Sequence, residues 1–253
     1  MQEFEKMDSN SRRDFLKAFL KGSAALSVVL MYPVPSFSIE GETEKKDTNY
    51  VYIVDVSRCI GCGKCVKACK AENHVPEEFF RTWVERYLIT TDFEVHIDSP
   101  DGGEFGFQAL DVEKEINKGF FVPKLCNHCD NSACVQVCPV SASYKSPDNF
   151  VLVDHKRCIG CGYCVQACPY GSRFISPATH TADKCTWCYH RITKGLKNAC
   201  VQACPRKARI FGDLNDPNSE VAQIFKQENL MVLKPNLLTN PRALYKDLAS
   251  EVV

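Results

Sequence analysis

Short apolar runs alternate with polar, glycine-containing loops along most of the chain after residue 48. Runs of this length predict β-strands at Tyr50 to Val54, Phe150 to Val153 and Ala208 to Phe211. The first two strands each lead into a cysteine-containing loop and then into a short predicted helix that carries the last cysteine of that loop. The chain therefore repeats a strand, loop and helix unit in two related halves.

An insertion over residues 76–119 separates two of the cysteine-containing loops. Trp83 to Ile89 and Phe93 to Ile97 alternate between apolar and polar side chains, as hairpin strands do, and Ser99 to Gly103 supplies a turn. Such a hairpin either covers the edges of the site beside it or forms an interface with a partner. The sequence leaves both interpretations open.

Residues 213–253 form a predicted extended C-terminal tail. Val221, Ile224 and Phe225 recur at the spacing of one helix face, and beyond Pro235 we expect extended chain. The tail either packs on its own domain or embraces a partner, and the sequence does not choose.

The N-terminal residues 1–38 match a twin-arginine export signal. The heptapeptide Ser11-Arg12-Arg13-Asp14-Phe15-Leu16-Lys17 precedes an apolar stretch from about Ala24 to Val34. This stretch is far shorter than the roughly 20 residues that cross a bilayer. We therefore expect export to the periplasm or the outer face of the cytoplasmic membrane, no membrane span, and a polar linker over residues 39–48.

Composition narrows the possible chemistry. The 253 residues are 45% hydrophobic, so the chain can form a core. It carries 31 basic and 31 acidic side chains, and it therefore lacks the excess of basic residues that would indicate nucleic-acid binding. The 16 cysteines are too many for an ordinary core. Disulfide frameworks suit short secreted chains without a core, and covalent haem needs C-x-x-C-H, whereas His190 lies one residue too far beyond Cys188.

The cysteines form four groups of four. The first and third groups have the spacing C-x2-C-x2-C-x3-C, which is typical of [4Fe-4S] clusters with an exchanged fourth ligand. Structural zinc normally uses two C-x2-4-C pairs separated by a longer stretch, which only the fourth group resembles. The groups are Cys59, Cys62, Cys65, Cys69; Cys126, Cys129, Cys134, Cys138; Cys158, Cys161, Cys164, Cys168; and Cys185, Cys188, Cys200, Cys204.

The group order, the segment Thr181 to Cys185 and the segment Phe211 to Pro217 carry a family resemblance. The chain resembles the four-cluster ferredoxin-like subunits of membrane-bound respiratory complexes, among them the dimethyl sulfoxide reductase family, polysulfide and tetrathionate reductases and the formate-dependent nitrite reductase system. The resemblance implies an α+β fold with two ferredoxin-like dicluster lobes. The first would comprise residues 49–75 with 181–212, and the second residues 120–180.

The resemblance also implies four [4Fe-4S] clusters with fourth ligands exchanged within each lobe. Some relatives lack the ligand at the position of Cys161 and carry a three-iron cluster there, but this chain has the cysteine. The implied ligands are Cys59, Cys62, Cys65 and Cys204 for cluster 1; Cys185, Cys188, Cys200 and Cys69 for cluster 2; Cys126, Cys129, Cys134 and Cys168 for cluster 3; and Cys158, Cys161, Cys164 and Cys138 for cluster 4.

The expected function is electron transfer without catalysis in this chain. The resemblance implies a partner membrane subunit that reacts with quinone or quinol, and a periplasmic catalytic subunit that is a molybdopterin enzyme or a multihaem cytochrome. A free soluble ferredoxin-type shuttle is the alternative. An enzyme is disfavoured because the chain has no nucleophile constellation and no nucleotide-binding glycine loop.

Several residues near the cysteines have two possible roles. Basic side chains there either balance the negative charge of the clusters or are simply solvated. His128 either tunes a cluster or is an exposed histidine, and we expect the latter; Trp187 is expected to exclude solvent by ordinary packing. The basic residues are Arg58, Arg157, Lys184, His190, Arg191 and Lys194.

Overall fold

Four small sheets and six α-helices make up the part of the chain that the structure, a computed structural model, describes, which is residues 48–110 and 115–252. The predicted signal over residues 1–38 and nearly all of the predicted linker over 39–48 lie outside these residues. The strands are Tyr50–Asp55 (β1), Thr82–Thr90 (β2), Val95–Asp98 (β3), Ile116–Leu125 (β4), Ser143–Lys145 (β5), Val151–Val153 (β6), Arg173–Ile175 (β7), Ala182–Lys184 (β8), Arg209–Asp213 (β9), Leu230–Met231 (β10) and Ala243–Lys246 (β11). The helices are Lys64–Asn73 (α1), Ala133–Gln136 (α2), Tyr163–Gln166 (α3), Tyr189–Ile192 (α4), Ala199–Gln202 (α5) and Glu220–Gln227 (α6).

The largest sheet has the strand order β10-β11-β1-β9 and contains the C-terminal residues. Strand β11 runs parallel to β1, with Tyr52 opposite Ala243, and β9 runs antiparallel on the other side of β1. Tyr52 and Tyr245 are both fully buried in the main core. Residues beyond Pro235, predicted as extended chain, include strand β11, which pairs with one edge of β1 and covers it.

The predicted tail helix is present as α6. Ser219 caps its N-terminus by accepting a hydrogen bond from the backbone N–H of Ala222, at 3.2 Å. Val221 is fully buried against β1 and β9, whereas Phe225 is exposed. The helix therefore packs on its own sheet through only part of the predicted apolar face.

The insertion builds a three-stranded antiparallel sheet with the order β3-β2-β4. The two predicted hairpin strands correspond to β2 and β3, and the third strand, β4, crosses the boundary that was predicted after residue 119. The turn Pro100–Gly103 lies against the first cysteine loop, where Lys70 pairs with Glu104 at 2.8 Å. These contacts favour the interpretation that the insertion covers the site.

The remaining sheets have two strands each, β5-β6 and β7-β8. The short helices pack in pairs, α1 against α5 and α2 against α3. Both pairs carry cysteines, so their packing determines which groups meet. None of the helices in the described ranges is long and apolar enough to cross a membrane.

The short helices differ in whether they carry the last cysteine of the preceding loop. Cys69 lies inside the ten-residue helix α1, as predicted, whereas Cys168 lies two residues beyond the end of α3, so the prediction for the second repeat was wrong. The difference follows from the next residue. Lys70 continues the first helix, but Pro169 cannot follow Cys168 in helical conformation, because a helix normally ends at or before the residue that precedes proline.

Candidate iron-sulfur site

Three cysteines of the first group and one of the fourth line a single cavity. Cys59, Cys62, Cys65 and Cys204 line a cavity of ≈ 340 Å³ that is partly open to solvent. Burial raises the pKa of the Cys59 thiol to about 11, and the nearby thiols of Cys65 and Cys204 add to the rise. The structure therefore brings together the set expected for cluster 1.

A second cavity of similar size is lined by the set expected for cluster 3. Cys126, Cys129, Cys134 and Cys168 line a cavity of ≈ 370 Å³ that is partly open to solvent. Burial raises the pKa of Cys129 to about 12, with smaller contributions from the other three thiols. The packing of α2 on α3 brings Cys134 and Cys168 to this cavity.

The set expected for cluster 2 meets where α1 packs on α5. Burial raises the pKa of Cys69 well above its ordinary value, and the thiols of Cys185, Cys200 and Cys188 raise it further. All four cysteines are buried, and the Tyr52 hydroxyl lies 3.2 Å from the sulfur of Cys200.

The cysteines expected for cluster 4 are linked through a neighbouring side chain, Arg173. The buried guanidinium of Arg173 interacts electrostatically with the thiols of both Cys138 and Cys164. Cys158 accepts a 3.3 Å hydrogen bond from the backbone N–H of Ala182 in β8, and Cys161 is exposed. The contacts of the described residues thus connect Cys138 to Cys164 through Arg173.

Backbone N–H groups point at sulfur in several of the sets. The distances are 3.4 Å from Ser143 to Cys138, 3.4 Å from Trp187 to Cys185 and 3.3 Å from Ala208 to Cys204. Such bonds stabilise thiolate charge and orient the sulfur atoms that would bind a cluster.

The first ligand loop needs glycine because it lies against the insertion. Gly63 has φ +69°, and a Cβ there would overlap the carbonyl oxygens of Gly103 and Glu104. Gly162, at the equivalent position of the third group, has φ +77°, but a Cβ there would meet nothing within 4 Å. Positive φ thus occurs at this position in both loops, and a close approach at this position occurs only in the first.

His128 and Trp187 join the second and fourth cysteine groups by reciprocal hydrogen bonds. Trp187 Nε1 donates to the carbonyl oxygen of Cys126 at 3.0 Å, and His128 Nε2 lies 3.0 Å from that of Cys185. The Val151 N–H donates to His128 Nδ1, which assigns the ring proton to Nε2. The two rings stack with centroids 4.2 Å apart.

The prediction that His128 is exposed was wrong, because its side chain is fully buried. Burial, followed by the charge of Lys184, lowers the pKa of His128 well below its ordinary value, so the ring is neutral. Trp187 is 2% exposed, as expected for a ring that excludes solvent.

The basic residues singled out from the sequence divide into two kinds. Most are exposed or pair with a carboxylate at the surface, and His190 and Arg191 both contact Glu72, at 2.8 and 2.7 Å. Of this set only Lys184 is buried, at 1% exposure, so for that residue the interpretation of simple solvation is wrong. The exposed members of the set are Arg58, Arg157, His190 and Lys194.

Sequence reasoning missed two buried arginines beside the thiols, Arg209 and Arg173. They are 2% and 4% exposed, and each lines one of the two cavities. A signal was present in the sequence, since each arginine follows the cysteine of a Cys-Pro pair by five residues, from Cys204 and Cys168 respectively.

The residues present fit iron-sulfur clusters. Buried thiols such as Cys59, Cys129 and Cys185 have pKa values of about 11 to 12, so they become stable thiolates only beside compensating positive charge. Iron supplies that charge on binding. The buried guanidinium of Arg209 complements this, because none of its three nitrogen atoms has a hydrogen-bond partner among the described residues.

Comparison with known proteins decides the family. Two sequence models of the 4Fe-4S dicluster domain match the chain, one over residues 58–142 and the other over residues 117–214. The chain is also 40% identical over 245 residues to a tetrathionate reductase subunit of Salmonella typhimurium, covering 96% of this chain and 90% of that protein. The chain belongs to the 4Fe-4S dicluster family of iron-sulfur subunits. Its cysteines therefore serve 4Fe-4S clusters, in agreement with the family expected from the sequence.

Two further relatives show the breadth of this family. The corresponding tetrathionate reductase subunit of Archaeoglobus fulgidus is 46% identical over 199 residues, which are 79% of this chain and 82% of the relative. Protein NrfC of Escherichia coli is 37% identical over 238 residues, which are 93% of this chain and 94% of that protein. The family members thus include iron-sulfur subunits of reductase complexes.

Proposed function

We propose that this chain is the exported electron-transfer subunit of a membrane-bound respiratory oxidoreductase. Single electrons would pass through four [4Fe-4S] clusters between a quinone-reactive membrane subunit and a catalytic subunit. The chain would act in the periplasm or on the outer face of the cytoplasmic membrane. It would transform no substrate itself, and two ferredoxin-like lobes would each hold two clusters with the exchanged ligands named above.

The observation that carries this proposal is the distribution of exposure along the four sets. Of the sixteen thiols, only Cys62 in the first set and Cys161 in the fourth are exposed. Each lies two residues after an exposed isoleucine, Ile60 at 54% and Ile159 at 64% exposure. Clusters 1 and 4 would thereby be the accessible ends of the relay, where partner subunits can approach.

The middle of the relay would be closed to water. The thiol of Cys126 in the third set is close enough to raise the pKa of Cys185 in the second set by electrostatic repulsion, which supports neighbouring positions for clusters 2 and 3. The stacked rings of His128 and Trp187 pack between these two loops. The resulting order would be 1, 2, 3, 4, with each cluster adjacent to the next.

The protein groups have defined tasks in this relay. When bound, each cluster supplies a one-electron redox couple whose potential depends on burial, local charge and hydrogen bonds to sulfur. The N–H groups of Trp187 and Ala208 and the hydroxyl of Tyr52 provide such bonds, and the insertion covers the first loop. These groups hold the sulfur atoms in place and exclude water while the charge on the clusters changes.

The proposal is tested by purifying the chain from native membranes in mild detergent, identifying its partners, and assaying iron, molybdenum and haem in the same sample. Co-purification with a multi-span quinone-site protein and a molybdenum subunit, or with a multihaem protein in place of the latter, is the expected result. A chain that elutes alone from both membrane and soluble fractions would replace the proposal with a free electron shuttle.

A further inference from the structure

Three buried cations lie beside the cysteines without a carboxylate partner among the described residues. Arg209, Lys184 and Arg173 are 2%, 1% and 4% exposed. Arg209 makes no hydrogen bond through any of its nitrogen atoms, and Arg173 makes one, from Nη1 to Ser143 Oγ at 2.9 Å. An uncompensated buried charge is strongly unfavourable, so each of these side chains requires an anion that the protein alone does not provide.

Two of the cations also face each other. Arg173 in β7 lies directly opposite Lys184 in β8 in the antiparallel ladder, so two buried cations occupy facing positions. Like charges at opposite positions of a strand pair are destabilising, and more so when buried. The nearby Asp183 does not neutralise this pair, because its carboxylate binds Arg81 at 2.7 Å.

Each cation lies between two different thiol sets. Arg209 lines the cavity of the first set and lies on the same face of its sheet as Tyr52, whose hydroxyl is 3.2 Å from the sulfur of Cys200 in the second set. Lys184 lies beside Cys185, whose carbonyl oxygen accepts its 2.7 Å hydrogen bond, and is acted on by Cys126 of the third set.

Arg173 occupies the corresponding position in the last gap. It lines the cavity of the third set and interacts electrostatically with Cys164 and Cys138 of the fourth set. Like Arg209, it lies five residues after the cysteine of a Cys-Pro pair. The same placement at both ends of the relay indicates a shared role rather than two unrelated buried charges.

We propose that Arg209, Lys184 and Arg173 are fixed counter-charges, one in each gap between neighbouring clusters of the relay. This inference rests on the proposed four-cluster function. Each cubane with its four thiolates carries a charge of about −2 when oxidised and gains another negative charge on reduction. A cation held between two such clusters stabilises the reduced form of both, and reduces the repulsion between them when electrons occupy neighbouring sites.

The experiment uses the holoprotein with Arg209→Met, Lys184→Met and Arg173→Met, each followed by electron paramagnetic resonance during a redox titration. Removal of a positive charge disfavours reduction, so the two flanking clusters should shift to lower midpoint potential. We expect about a tenfold change in the oxidised-to-reduced ratio at fixed potential, equivalent to about 59 mV for a one-electron couple.

The pattern across the variants is the decisive readout. The Arg209 variant should shift the transitions of clusters 1 and 2, the Lys184 variant those of clusters 2 and 3, and the Arg173 variant those of clusters 3 and 4. The first two variants therefore share the shift of cluster 2, the last two share that of cluster 3, and the Arg209 and Arg173 variants share none. Arg157→Met is the matched control, because Arg157 directly precedes Cys158 but is exposed. Its effect should be small and should disappear at high salt, whereas the effects of the buried cations should persist.

Unshifted potentials, shifts in unpaired transitions, or an equal effect of Arg157→Met would overturn the inference. If a methionine variant fails to assemble its clusters, Arg209→Lys and Arg173→Lys decide. Cluster assembly with nearly wild-type potentials would support a role for the charge, and equal failure would show that the shape of the side chain matters instead. Iron and sulfide analysis of the wild-type chain separates this inference from the proposed function: fewer than four clusters would contradict the proposed function, whereas four clusters with unshifted potentials in the variants would contradict only this inference.

Discussion

Gly63→Ala measures how tightly the insertion is packed on the first ligand loop, and Gly162→Ala is its natural control. Both glycines follow the second cysteine of a C-x2-C-x2-C-x3-C group and have φ +69° and +77°. In both variants alanine must adopt a left-handed conformation, which costs about 1 to 2 kcal/mol. Only at Gly63 would the new Cβ also overlap backbone carbonyl oxygens, those of Gly103 and Glu104.

The magnitudes follow from these two contributions. Overpacking adds about 1 to 3 kcal/mol, so the Gly63 variant should lose about 2 to 5 kcal/mol and the Gly162 variant about 1 to 2. At about 2 to 4 °C per kcal/mol, the melting temperature should fall by about 4 to 20 °C and about 2 to 8 °C respectively. The overlapping atoms belong to backbone, so side-chain rotation cannot relieve the contact.

The assay is a circular dichroism melt of the two anaerobically prepared holoproteins and the wild type at one scan rate, with iron analysis of each sample. A constant scan rate is needed because loss of clusters makes unfolding irreversible. We expect a lower iron content in the Gly63 variant as well as a lower melting temperature. Equal losses in the two variants would refute the reasoning, because they would show that the positive φ alone matters.

Three further predictions concern other parts of the fold. Trp187→Phe leaves a buried carbonyl oxygen unpaired and should cost about 1 to 3 kcal/mol in chemical unfolding, whereas Trp83→Phe, which removes only a partly buried bond to a carboxylate, should cost less. Tyr245→Ala should lower the stability by about 3 to 5 kcal/mol because the side chain is fully buried, and Leu244→Ala on the same strand should cost less in the same assay because that side chain is half-buried. Cys69→Ser should perturb the resonance signal of cluster 2 and leave that of cluster 1 intact, although Cys69 belongs to the first sequence group; loss of the cluster 1 signal would contradict the exchanged ligands.

The spacing of the cysteines predicted the class of cofactor, because a cubane needs several thiolates from one tight loop and these lie close together in the sequence, and the family followed from the resemblance of the group order and two further segments. The strands at Tyr50 and Phe150 were also predictable, since their apolar runs are continuous and lead directly into the loops. Both features can be predicted from local spacing because the residues that form them lie within a few positions of each other in the sequence.

The residues that could not be predicted depend on contacts between distant segments. His128 has no local sign of burial, because it is covered by Trp187 and Phe150, which lie far along the chain. The Cys-Pro spacing marks the position of Arg209, but its burial follows only from the pairing of β9 with β1, which brings it beside the thiols. The C-terminal strand likewise needs its partner, since Ala243–Lys246 is too short to be recognised before it pairs with β1.

Four one-electron centres in a row within one chain are the core of the proposed function. Their number is measured most simply by a reductive titration of the anaerobically purified holoprotein, combined with iron and acid-labile sulfide analysis of the same sample. We predict about sixteen iron and sixteen sulfide per chain, and uptake of about four electrons. Uptake of about two electrons with half that iron would contradict the four-cluster relay, because only one pair of thiol sets would then carry clusters.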